Sequence, residues 1–320
     1  MPGHRLDSLD IRILRELTQA QTVFPARVGM QASYRTIARA VGASFGTVRN
    51  RIRTMSEEGV LRGSSTYPSP RLLGLRAASY AVEVGPPRTK ADVVEQLRGV
   101  DGMLFIQNFR GALLGLAFVA PEGAPPDRKL DEIDRIVGGP RGVLGTVAYP
   151  PCSVALTETD RALVRRLVTG SFESYRQLSA ELRISVRTIK RRLSRLIDSN
   201  AILSVPTMDY RAISGNVPAD LLVAYSGPVP RSAAARRILE RVGEYLIYMG
   251  MWSDLELYSL ILPRFSLANE LADEIARVPG VVHARVELVD EHIDLTRNLR
   301  RFLDAPLPVS GAVRRRAAAT

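Results

Sequence analysis

Cysteine is all but missing from this chain: Cys152 stands alone. One thiol cannot form an intrachain disulfide, and no zinc site can be assembled from several thiolates. Histidine is nearly as scarce, confined to His4, His283 and His292. No Ser-His-Asp set, Walker loop or metal-ligand spacing can be traced around them. No apolar run approaches the roughly 18 residues of a membrane-spanning helix. The opening MPGHRLDSLD has no apolar core of a secretion signal. Acidic residues are under-supplied too: 33 Asp and Glu face 44 Lys and Arg, a formal net charge of +11. These deficits predict a cytoplasmic protein with a polyanionic partner, nucleic acid ahead of an anionic membrane surface. They predict no cofactor, no metal and no catalytic residues.

What is present is ordinary in amount and informative in order. Apolar residues make up 46% of the 320, enough for two or more domains with cores of their own. The organising stretch is Ser174–Leu203, SYRQLSAELRISVRTIKRRLSRLIDSNAIL. Ser185 suits the N-cap of a helix running to about Asp198. At about 100° per residue, Val186, Ile189, Leu193, Leu196 and Ile197 share one face. Arg187, Lys190, Arg191, Ser194 and Arg195 share the other. Ser174 is placed to cap a shorter helix, Tyr175–Leu182. Two helices joined by a tight turn, the second basic on its outer face, make a helix-turn-helix.

The same pattern stands earlier. Ser33–Leu61 aligns with the later stretch without a gap at an offset of 141 residues. Ser44 meets Ser185, Thr47 meets Thr188, Val48 meets Ile189, Arg51 meets Arg192 and Met55 meets Leu196. A merely solvated charged face would not hold capping, apolar and basic positions in one register. By that register the outer face of the first unit is Gly46, Arg49, Asn50, Arg53 and Thr54, less basic than the second. The candidate DNA contacts are therefore Ser44, Thr47, Arg49, Asn50 and Arg53 in the first unit. In the second they are Ser185, Arg187, Thr188, Lys190, Arg191, Ser194 and Arg195.

Upstream of each unit lies another helical period, Leu6–Leu17 and Leu156–Leu167, related by an offset of 150. The fall to 141 leaves about nine extra residues in the first unit, Gln21–Gly29, which read as a surface loop. Gly59 and Asn200 suit the left-handed position that ends a helix. Extended segments follow as wings at Arg62–Tyr67 and Leu203–Thr207. Each unit is then followed by a βαββαβ order. In the first half the strands are Ala77–Val84, Met103–Phe109, Ala112–Val119 and Gly142–Tyr149, with helices Thr89–Arg98 and Asp127–Val137. In the second they are Asp220–Tyr225, Tyr245–Met249, Leu255–Leu262 and Val282–Val289, with helices Ser232–Val242 and Ser266–Val278. The predicted fold class is α+β: two winged helix-turn-helix units, each followed by a ferredoxin-like βαββαβ (RAM-like) domain. The divisions fall at 1–70, 71–150, 151–212 and 213–303. Pro150-Pro151 marks the seam, and a disordered basic tail occupies 304–320. The two ferredoxin-like domains are expected to pair sheet against sheet as an internal pseudo-dimer, and two such chains to pair again as a homodimer.

A winged helix-turn-helix followed by βαββαβ resembles the Lrp/AsnC family of transcription regulators. Leu9-Asp10, Ile37-Ala38, Ser44, Thr47-Val48, Arg51-Ile52 and Gly59-Val60-Leu61 carry the resemblance in the first half. Thr159-Asp160, Leu178-Ser179, Ser185, Thr188-Ile189, Arg192-Leu193 and Ala201-Ile202 carry it in the second. The resemblance implies double-stranded DNA as partner, oligomerisation through the ferredoxin-like domains, and a small-molecule effector, often an amino acid. The family's glycine near an acidic residue, between the second and third strands, is matched by Gly250 and Asp254; with Trp252 these are the candidate ligand contacts. The first half has Asn108-Phe109-Arg110-Gly111 there and no acid.

Two other readings stand beside this one. The tandem layout is similar to siroheme decarboxylases, whose tetrapyrrole site requires a histidine before the second strand. The corresponding stretches here, GVDGMLFIQNFRG and RVGEYLIYMGMWSD, contain none. His4 is expected in a mobile terminus and His283 at the start of the last strand. The third reading is a protein-interaction module with vestigial winged units.

Overall fold

The computed structural model describes residues 3–18, 34–123, 127–139, 142–147, 149–152, 154–168, 175–226, 229–251 and 255–304. The first half opens with three helices, α1 (Ser8–Thr18), α2 (Tyr34–Val41) and α3 (Phe45–Glu57), and a strand, β1 (Leu61–Pro68). It continues as β2 (Leu75–Glu83), α4 (Lys90–Arg98), β3 (Met103–Phe109), β4 (Leu113–Pro121), α5 (Asp127–Val137) and β5 (Val143–Val147). The second half runs α6 (Glu158–Val168), α7 (Tyr175–Leu182), α8 (Val186–Asp198) and β6 (Ile202–Met208). After these come β7 (Val217–Tyr225), α9 (Arg231–Val242), β8 (Leu246–Met251), β9 (Leu255–Leu262), α10 (Ser266–Ala276) and β10 (Val281–Asp294). A short helix, α11 (Arg300–Asp304), closes the described chain. The Gln21–Gly29 insertion and the tail from 305 onward lie outside the described residues.

Alternation decides which neighbour each strand face meets. On β4, Leu114, Leu116 and Phe118 pack with Val93, Leu97, Ile133 and Val137 of α4 and α5. The intervening Ala117 and Val119 face the other way, toward Leu163, Ile189 and Leu193 of α6 and α8. The same division recurs on β9. Tyr258, Leu260 and Leu262 join Ile238, Leu271 and Ile275 under α9 and α10, while Ile261 turns to the α1–α3 bundle.

The halves are therefore crossed. The core of the first helical bundle (Ile13, Leu14, Ile37, Val48, Ile52, Met55) includes Ile247 and Ile261 from the second half. Arg15 reaches over to donate to the Leu246 carbonyl at 2.8 Å and to the Gly243 carbonyl. The second bundle shares its core with Leu73, Leu75, Leu104 and Val119 from the first half. At about 1.5–3 kcal/mol for each large apolar side chain buried, neither bundle is complete without the opposite half.

Three expectations are corrected here. First, the extended segments are not separate wings. β1 and β6 pair with each other, antiparallel, as a two-stranded ladder. Ser64 faces Pro206 and Ser65 faces Val205. By the 141 offset, Pro206 is the counterpart of Ser65 and Val205 that of Ser64, so the ladder has an internal two-fold. Second, the larger strands join edge to edge, in the order β5-β2-β4-β3-β10-β7-β9-β8, not sheet against sheet. The joint is β10, which is longer than its alternation suggests. Its first part pairs with β7, and Val289–Asp294 pairs with β3. The charged run Asp290-Glu291-His292 hides this extension in the sequence, yet β3 has an open edge whose amides and carbonyls need partners. Third, the N-terminus is held: the His4 amide donates to the Ala212 carbonyl at 2.8 Å and its ring lies 2.7 Å from Glu58. The helices expected from Leu6 and Leu156 begin two residues later, at Ser8 and Glu158.

Candidate nucleic-acid interface

α3 and α8 are built alike. The Ser44 hydroxyl accepts from the Thr47 amide at 3.0 Å, and Ser185 accepts from Thr188 at 3.1 Å. Each cap satisfies an amide that the first helical turn leaves unpaired. Val48, Ile52 and Met55 anchor α3 inward, as Ile189, Leu193 and Leu196 anchor α8. Arg49, Asn50 and Arg53 then project into solvent on one helix and Arg187, Lys190 and Arg191 on the other. Ser44, Thr47 and Ser185 lie at the N-terminal ends, with Thr188 and Ser194 partly exposed. The tight turn before each helix takes a left-handed residue at the same place, Gly42 (φ +66°) and Arg183 (φ +53°). Gly59 (φ +82°) and Asn200 (φ +54°) end the two helices in the same way.

A buried acid locks each basic helix to the first helix of its bundle, a role that the sequence reading missed. Arg192 donates to Asp160 at 2.9 Å and to the Thr157 hydroxyl at 3.0 Å. Arg195 donates to the other Asp160 oxygen. Arg195 is thus drawn back from the outer row while staying half-exposed. Burial pushes the Asp160 carboxyl up, but Thr157 and the two guanidinium groups hold it below the usual carboxylate range. In the first bundle Arg51 lies 3.2 Å from Asp10 and 2.8 Å from Asp7. There burial dominates and, with the charge of Asp7, raises the Asp10 carboxyl in spite of Arg51. The signal was available: Asp10 and Asp160, and Arg51 and Arg192, recur in matching places.

Aromatic rings flank both cationic rows. Arg35 and Arg49 lie 6.0 and 5.8 Å from the Phe45 ring centre, and Tyr34 stands 6.1 Å from it. Lys190 lies 5.2 Å above Tyr175.

Of the other candidate site, only Gly250 falls among the described residues. Gly250 is a buried residue of β8, opposite Leu257, while Trp252 and Asp254 lie outside the described residues. Between the halves runs a buried polar line. Ser259 donates to Asp220 at 2.6 Å, Gln107 donates to Asp220 at 3.1 Å, and the His292 ring is 2.6 Å from Gln107 Oε1. Burial lifts the Asp220 carboxyl to about 7 against these hydrogen bonds, with nearby Glu287 adding to the rise. A surface hollow of about 320 Å³ is lined by Arg98, Asp101, Arg297, Arg300 and Arg301, among others. Among the described residues no cluster of three or more metal-ligating side chains forms, and no helix is long and apolar enough to cross a membrane.

Two capped helices with inward apolar and outward cationic faces, each entered through a tight left-handed turn, define a helix-turn-helix protein. Residues 6–56 match the AsnC-type helix-turn-helix domain. The chain is 27% identical over 106 residues to the HTH-type transcriptional regulator Ptr1 of Methanocaldococcus jannaschii, covering 33% of this chain and 66% of that regulator. The match thus spans just under two thirds of Ptr1's length. In overall fold the chain is similar to the siroheme decarboxylase NirDL, with TM-score 0.52, 14% identity and coverage of 93% of this chain and 97% of that one. Similarity to the leucine response regulatory protein LrpA of Mycobacterium tuberculosis covers 48% of this chain at TM-score 0.30 and 17% identity.

Proposed function

We propose that the chain is a sequence-specific DNA-binding transcription regulator. It is a fused tandem of two helix-turn-helix units, whose extended segments β1 and β6 pair with each other, and two ferredoxin-like domains, with α3 and α8 entering the major groove of duplex DNA. The observation that carries this reading is the pair of capped helices with outward cationic rows. Phosphate neutralisation by these rows supplies affinity that falls steeply with salt. Side chains at the N-terminal ends are those that reach base edges in this motif. The row on α8 is the more basic, so Lys190→Glu with Arg191→Glu weakens binding to random duplex DNA more than Arg49→Glu with Arg53→Glu. The slope of log affinity against log salt falls by about one for each phosphate that is no longer neutralised. Equal weakening in the two double variants removes the asymmetry, and no binding even at low salt removes the reading.

Gly250, Trp252 and Asp254 are proposed as contacts for a small-molecule effector, an amino acid by the family resemblance; calorimetry with the amino acids tests this. The internal pseudo-dimer is proposed to pair again as a homodimer, and sedimentation of a strict monomer at micromolar concentration would overturn that step. A second reading has one observation in its favour, the similarity in fold to a siroheme decarboxylase over 93% of the chain. It predicts that added iron-uroporphyrin shifts its absorption band on meeting the protein, and that duplex DNA is ignored.

A further inference from the structure

Phe45 is the first residue of α3 and is 44% exposed. The other large apolar side chains of that helix, Val48, Ile52 and Met55, are all buried. The ring rests on one side against Tyr34, itself 40% exposed, and the part of it left in water at the end of the helix that meets DNA calls for a partner there. The partner's chemistry follows from what lies at that depth. In this motif the N-terminal residues of the second helix sit over base edges. The apolar group on the floor of the major groove is the thymine C5-methyl. Arg35 and Arg49 stand close to the ring, at 6.0 and 5.8 Å, where guanidinium groups can hold phosphates and fix the depth of insertion. The second half is unlike the first here: the counterpart of Phe45 is Val186, partly buried.

We propose that Phe45 is a specificity-determining residue that packs against thymine methyl groups, so that the first reader prefers A·T-containing DNA through a contact the second reader lacks. This rests on the DNA-binding reading.

The test uses two duplexes of about three turns, alternating d(A-T) and the same sequence with deoxyuridine for thymine, which differ only in the methyl groups. The full chain should prefer the thymine duplex by about three- to tenfold, the scale of one or two buried methyls. Phe45→Ala should erase that preference, Phe45→Leu should keep part of it, and Val186→Ala should leave it whole. Wild-type protein that binds both duplexes equally, or a preference that survives in Phe45→Ala, overturns the proposal while leaving DNA binding intact. Absence of binding to either duplex at low salt overturns the DNA-binding reading itself. A Phe45→Ala protein that melts like the wild type and loses both duplexes alike would place Phe45 in general docking and also overturn the proposal.

Discussion

Gly42 and Arg183 occupy the same place in the two helix-turn-helix turns and share a left-handed backbone. Glycine enters that region freely, whereas a residue with a Cβ is strained by roughly 1 kcal/mol or more. Arg183→Gly should therefore stabilise the protein by about 0.5–1 kcal/mol, seen as a rise in thermal midpoint, with no change in the cationic row of α8. A second residue-scale prediction concerns Asp220. Its carboxyl is raised to about 7 from an unfolded value near 3.8. Between those values the folded protein holds a proton that the unfolded chain has released. Stability from this group is thus greatest below pH 4, declines as pH rises toward 7, and then levels off. Asp220→Asn removes the titration while keeping a group that can bond Ser259 and Gln107. Melting from pH 5 to 8 should show wild type losing ground to this variant, by up to a few kcal/mol. Equal slopes would mean that Asp220 is ionised throughout. Neither feature could be read from sequence. Arg183 looks like one more cation on a basic surface, and Asp220 is buried only because β3 and β7 flank the same long strand.

The helices were the legible elements. α8 runs Val186–Asp198 as its serine cap and apolar spacing required, because both signals are local. Strand pairing was less legible, since a short polar strand such as β1 says nothing of what lies beside it. The ladder between β1 and β6 offers a direct check. Ser65 and Val205 face each other, so like charges placed there should repel and opposite charges attract. Ser65→Glu with Val205→Glu should melt below Ser65→Glu with Val205→Lys by the equivalent of about 0.5–1 kcal/mol. Both pairs lose the same valine, so the difference isolates the pairing. Identical midpoints would mean that the two strands do not lie in this register. Were they independent wings, neither pair would differ.

At the scale of the molecule, the crossing of the halves was invisible beforehand. An apolar strand face announces that it will be covered but not by which helices. The crossing predicts that fragments 1–150 and 151–320 each fold poorly alone, with Leu104 and Val119 on one and Ile247 and Ile261 on the other left bare. Mixed together they should recover helical circular dichroism and a cooperative melt. Two fragments that each melt cooperatively in isolation would show that the shared cores contribute little. The two-fold of the β1–β6 ladder has a last consequence. It holds a pair of readers that are related in position but unlike in chemistry, Phe45 and Asn50 on one side, Val186 and Arg191 on the other. A symmetric pair of identical chains lies on DNA the same way round in either direction. This molecule, reading DNA as proposed, has a head and a tail, and its binding site carries an arrow.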